Sequence, residues 1–96
     1  MKHILIRKEQ ENEFRTVENL VREAFWDVYR PGCDEHLLVH RLRDSSIHLP
    51  ELSFIAEVDG RLAGAIYYCK AVIRQKSGGM RSILTFGPLA VAPEFQ

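Results

Sequence analysis

The sequence predicts an α+β domain in which one strand and two helices precede three antiparallel strands. Three observations carry that prediction. Apolar residues recur at helical spacing from Phe14 to Val28, an Asp59-Gly60 pair stands between two apolar stretches, and a long β-branched and aromatic stretch begins at Met80. Helices repeat every 3.6 residues and strands every 2, so the two patterns separate. Ninety-six residues, 46% of them hydrophobic, make at most one domain, with a core that buries roughly 60% or somewhat more of the unfolded surface.

In chain order, His3-Ile4-Leu5-Ile6-Arg7 is a short apolar run closed by Lys8-Glu9-Gln10-Glu11, the first strand. From Glu11, Phe14, Val17, Leu20, Val21, Ala24, Phe25 and Val28 form one stripe on a helix, with Asn12 as the expected cap. Pro31-Gly32 should end this helix near Tyr29, because proline disfavours helical dihedrals in the residue before it. Asp34 then opens a shorter helix, with Leu37, Leu38 and Leu42 expected inward and Arg41 and Arg43 near its end, where cations suit the dipole. Residues 44–50 read as loop. Leu52 to Val58 and Arg61 to Arg74 are two strands, and Asp59-Gly60 between them is the two-residue hairpin signal. Gln75 to Gly79 makes the next turn. In the last strand, Ile83 to Val91 is interrupted by Gly87-Pro88; proline has no N–H for the ladder, so a bulge or splay is expected there.

Thirteen basic and thirteen acidic side chains cancel, leaving no global field to draw nucleic acid or an anionic membrane. No apolar run approaches the ~20 residues that span a bilayer. The apolar segment after Met1-Lys2-His3 is too short for a signal peptide, so a cytoplasmic protein is expected. Cys33 and Cys69 lack C-x-x-C spacing and read as free thiols. His36 and His40 lie four apart on the second helix, but a third ligand is wanting and the glutamate of a zinc-peptidase helix is absent between them; no metal is expected. Gly78-Gly79 has no Lys-Ser/Thr sequel and reads as hairpin chemistry, not a phosphate loop.

Leu89-Ala90-Val91-Ala92-Pro93-Glu94-Phe95-Gln96 resembles the end of the fourth strand in the GNAT superfamily of acyl-CoA-dependent N-acyltransferases. There an L-x-V-x-P-x-x run leads into Gln/Arg-x-x-Gly-x-Gly/Ala, the turn and helix start that hold the CoA pyrophosphate. Gln96 stands at the first position of that turn, and the glycines are not in this sequence. Ile6-Arg7, Val21 to Phe25, and Ala56 to Gly64 are also similar to family members, in the same order.

The resemblance implies that residues 1–96 are the N-terminal portion of a single acetyltransferase domain, the C-terminal pyrophosphate-binding half being absent. It implies transfer of an acetyl group from acetyl-CoA to a small-molecule or peptide amine, by direct attack in a ternary complex. In the family, main-chain groups freed by a bulge in strand four pair with the pantetheine arm, and one N–H polarises the acyl oxygen; here these are the backbones of Leu89, Ala90 and Val91. The side chains of Leu89 and Val91 read as core. Family members often carry Glu or His about four residues before the L-A-V run; here that position is Thr85, with Gly87 two residues nearer, and neither is a base near neutral pH. Glu57 is a lesser candidate that reads better as a solvated face. The catalytic residues are therefore unassigned, and a general acid tyrosine lies, in many relatives, in the C-terminal half. Phe25, Trp26 and Tyr29 occupy the segment with which relatives line the acceptor pocket, and pack helix one onto the sheet in the plainer reading.

Two alternatives from other classes stand beside this. One is a non-enzymatic interaction module that uses the open fourth strand as a binding edge; such an edge invites homodimerisation or pairing with another chain. The other is a small-ligand sensor with an apolar ligand between helix one and the sheet.

Overall fold

The structure, a computed structural model, describes residues 3–96; the charged start Met1-Lys2 lies outside the described residues. The strands are β1 (Ile4–Arg7), β2 (Phe54–Val58), β3 (Arg61–Arg74) and β4 (Met80–Val91), and the helices are α1 (Phe14–Phe25) and α2 (Glu35–Arg43). One antiparallel sheet runs β1-β2-β3-β4. This is the α+β order expected from the sequence. At the β2–β3 turn Asp59 and Gly60 both have positive φ, 50° and 79°, the combination a two-residue hairpin needs to match strand twist.

Gly87-Pro88 makes the expected bulge. The register passes from Leu89 opposite Ile66 to Phe86 opposite Tyr68, so two residues of β4 face Tyr67 alone. Small residues then set the closeness of the layers. Ala65 and Ala90 on the sheet and Ala92 just past it are buried, and Val17, Leu20, Val21 and Ala24 of α1 pack onto them, with Ile55 and Tyr67. The other face of the sheet carries Phe54, Ile66 and Tyr68, half-buried, and Phe86 and Leu89, which are exposed.

Three local expectations are corrected. Asn12 does not cap α1; it lies in a 3₁₀ turn, Glu11–Glu13, where the Glu13 carboxylate accepts the Gln10 N–H at 2.9 Å. Helix α1 stops at Phe25, four residues early. Asp27 takes φ 58°, its carboxylate accepts the Gly32 N–H at 2.6 Å, and its own N–H reaches the Gly32 carbonyl. A loop closed on itself thus replaces the last helical turn, and Val28 leaves the stripe for solvent. On α2, Val39 and Leu42 are buried, whereas Leu37 and Leu38 are exposed. A nine-residue helix lying on α1 has room for one pair three apart.

Arg7 bridges Glu13 (2.7 Å) and Glu57 (3.0 Å) across the start of the helical layer. The Arg7 hydrogen bonds, with help from the Gln10 N–H, hold the Glu13 carboxyl down to about 2 from its ordinary 4.5. A depressed folded pKa means stabilisation that is complete above the unfolded value and is lost as pH falls through the folded one. Urea unfolding followed from pH 5 to 2 should therefore fall more steeply for the native protein than for Glu13→Gln. Parallel curves would show that this pair contributes nothing to acid sensitivity.

Candidate functional site

Just past the bulge, β4 meets the end of α1. Phe25 and Tyr29, with Ala24 and Val28, face Leu89, Ala90, Val91 and Gln96 across a cleft of about 330 Å³. The Phe25 and Tyr29 rings lie 6.3 Å apart between centroids. Five of the six binding residues expected from the sequence thus share one hollow. Trp26 does not: it lies under the Arg22 guanidinium, 4.3 Å from its ring centroid, and lines a separate hollow with Glu23 and Pro93.

The ladder decides which main-chain groups are available. The Ala92 N–H donates to the Ala63 carbonyl at 2.7 Å, and Ala65 pairs with Ala90 two steps along. In an antiparallel pair hydrogen-bonded and non-bonded positions alternate. Ala90 therefore turns its N–H and C=O toward β3, and Leu89 and Val91 turn theirs to the open edge. The Val91 carbonyl accepts the Gln96 side-chain amide at 2.9 Å. Ala90 contributes instead a buried methyl, while the side chains of Leu89 and Val91, expected in the core, are 53% and 39% exposed, because past the bulge they fall on the face away from α1. Gly64 lets the strands close here: a Cβ on it would come 2.9 Å from the Ala90 carbonyl oxygen.

The other residues singled out in the sequence lie apart from this cleft. Thr85 sits opposite Cys69 below the bulge, and Gly87 is in the bulge itself. Glu57 is held in its ion pair with Arg7. The His36 ring lies 3.8 Å from the Cys33 sulfur, and His40 reaches Glu18 at 3.4 Å. Among the described residues no three His, Cys, Asp or Glu side chains converge as metal ligands. Burial pushes the Cys33 thiol up.

Sequence reasoning missed a buried polar cluster on the helical side of the sheet. The Arg43 guanidinium forks onto Glu9 (3.1 and 3.0 Å), contacts Glu18, and donates to the Tyr67 hydroxyl at 3.1 Å; that hydroxyl donates to Glu9 at 2.8 Å. Phe14 stacks 4.1 Å from the guanidinium carbon. Burial first, and the Glu9 charge second, raise the Tyr67 hydroxyl pKa. Burial alone would lower Arg43, but Glu9 and Tyr67 keep it protonated. His48 and Glu51 line a hollow with Glu9, Phe14 and Arg43, and the buried His48 Nδ1 has no partner among the described residues. Glu9 and Arg43 are 34 residues apart and Tyr67 lies 24 beyond Arg43, so no local pattern links them.

Two helices on one face of a four-stranded antiparallel sheet, with a bulged β4 whose outer edge is open, define a GNAT-type acyltransferase fold, and the chain carries that fold. It is similar to a GNAT family acetyltransferase from Brucella melitensis, solved in complex with acetyl-CoA, with a TM-score of 0.80 and 29% identity. That match covers 98% of this chain and 58% of the Brucella chain. It is also similar to a conserved protein from Enterococcus faecalis V583, described as a probable N-acyltransferase, with a TM-score of 0.67 and 19% identity over 100% of this chain and 22% of that one. This second likeness bears on the fold alone. No protein-family model matches the sequence, and no curated protein matches it. No helix among the described residues is long and apolar enough to cross a membrane.

Proposed function

We propose that residues 1–96 form the N-terminal portion of an acyl-CoA-dependent N-acetyltransferase domain, which transfers an acetyl group from acetyl-CoA to an amine in the cytoplasm. The observation that carries this reading is the pair of outward main-chain positions at Leu89 and Val91, beyond the bulge and facing Phe25 and Tyr29. The acetyl-CoA complex of the Brucella protein supports it. An extended pantetheine arm has amide groups of its own, so it can lie along β4 as one more strand. At this level Leu89 turns its N–H and C=O to the open edge and Val91 its N–H, the Val91 carbonyl being taken by Gln96, and the two residues are spaced by two, as a strand partner requires.

Chemistry then asks for positioning and charge stabilisation. A neutral amine nitrogen attacks the thioester carbonyl carbon; the C–N bond forms, the C–S bond breaks, and the thiolate leaves with a proton from the ammonium. An N–H aimed at the carbonyl oxygen, Leu89 in this reading, stabilises the charge that develops there. The cleft holds no carboxylate or imidazole, so an amine that arrives neutral, or a base from outside these residues, completes the step. The acceptor is a small-molecule or peptide amine.

The test is titration of the isotopically labelled protein with acetyl-CoA, read at backbone amides. Saturable shifts at Leu89 and Val91, with smaller ones at Ala90, are expected. No saturable shift at these amides overturns the reading, and concentration-dependent shifts along β4 without ligand favour a strand-pairing module or homodimer in its place.

A further inference from the structure

All thirteen acidic residues lie outside the stretch between Asp59 and Glu94, which holds five basic ones: Arg61, Lys70, Arg74, Lys76 and Arg81. Arg61 pairs with Glu94 at 2.5 Å. The other four are exposed and make no ion pair among the described residues. They cluster on the distal half of the β3–β4 hairpin, where the ladder runs on from Cys69 opposite Thr85 to Arg74 opposite Met80, past the end of β2. Five steps at about 3.3 Å per residue make this arm about 17 Å long.

Its chemistry is amphipathic along its length. Val72, Ile73, Met80 and Leu84 are each more than half exposed, and Val72 and Leu84 border a groove of about 520 Å³ with Ile47 and Lys70. Lysine also serves as the usual guard of a sheet edge against aggregation; here two arginines join the two lysines, with no acidic residue between Asp59 and Glu94. A single sign, concentrated in a chain of zero net charge, makes a local field that selects anions.

Position gives that field a use, if the cleft at Leu89 and Val91 acts as proposed. With the CoA nucleotide toward Gln96, the thioester end of the arm points along β4 toward Gly87. An attacking amine then comes from the side of Phe86, which is the side of the basic hairpin. We infer that the acyl acceptor is an acidic polypeptide segment, whose carboxylates are held by Lys70 and Arg74 on one face of the hairpin and by Lys76 at its turn while its amine reaches the bulge. An extended chain suits the spacing: Lys70 and Arg74 stand on one face with Val72 between them, so a segment with an acidic, an apolar and an acidic residue at every second position can match them in turn.

This inference rests on the acetyltransferase reading, and binding separates the two. A fluorescent decapeptide with glutamate and valine taking turns at every second position, serine between them and a free amine would be titrated into the full chain, beside a peptide with lysine in place of glutamate, phosphatidylserine vesicles and an oligouridine. The glutamate peptide is expected to bind, and the triple variant K70E/R74E/K76E to weaken it by about tenfold or more while leaving acetyl-CoA binding unchanged. Absence of binding, equal binding by the variant, or tighter binding of vesicles or oligouridine overturns the inference. Peptide binding with no acetyl-CoA binding in the separate titration fails the acetyltransferase reading and removes the acceptor role with it.

Discussion

Arg43→Ala should lower the unfolding free energy by about 3–5 kcal/mol, the range for removing one partner of a buried ion pair. The Arg43 side chain is 7% exposed and that of Glu9 is 10% exposed. Truncation leaves the Glu9 carboxylate with the Tyr67 hydroxyl as its one remaining side-chain donor, and it removes the cation stacked on Phe14. The loss is a penalty for an orphaned buried charge more than a measure of the pair's net worth. Two further variants separate these. Arg43→Lys should recover only part, because one ammonium cannot reproduce the fork onto both Glu9 oxygens while also reaching Glu18 and Tyr67. Arg43→Met combined with Glu9→Gln should be more stable than Arg43→Ala, since no buried charge is left at the Glu9 position. Urea unfolding checks all three; a loss below about 1 kcal/mol for Arg43→Ala would put the pair among exposed ones in its energetics.

Leu89→Pro should weaken acetyl-CoA binding about tenfold and slow any acetyl transfer by about 10² to 10³, the effect of losing one preorganised donor at the reacting carbonyl. The substitution removes an N–H that points to the open edge and takes no part in the β3 ladder. Proline is accepted on an edge strand in that orientation, so the circular dichroism spectrum should stay native. Leu89→Ala is the control, because it keeps the N–H and deletes a half-exposed side chain. Wild-type binding by Leu89→Ala with loss in Leu89→Pro assigns the effect to the main chain. Equal losses in the two would assign it to the side chain and sink the strand-pairing account.

Much of this was legible from residue types and spacing. The Asp59-Gly60 turn, the stripe on α1, and the break at Gly87-Pro88 each follow from local steric rules, and local rules can be read from a local window. The end of α1 was misplaced for a physical reason of the same kind acting at longer range. Pro31 is a visible stop, but the Asp27 carboxylate closing onto Gly32 stops the helix four residues sooner. The choice of Val39 over Leu37 and Leu38 depended on the angle at which α2 meets α1.

By itself, then, the sequence determined the α+β order, the hairpins, the bulge in β4 and the acyltransferase resemblance at Leu89 to Gln96, because dihedral preference and hydrophobic period are properties of neighbouring residues. Only the tertiary structure decided that Leu89 and Val91, and not Ala90, offer their main-chain groups at the edge, since that depends on which partner strand each residue faces. It alone gathered Glu9, Arg43 and Tyr67 into one network, moved Trp26 out of the cleft and left four cations of the hairpin without acidic partners among the described residues. These are matters of contact between segments far apart in the chain, and burial and charge pairing exist only once those segments meet.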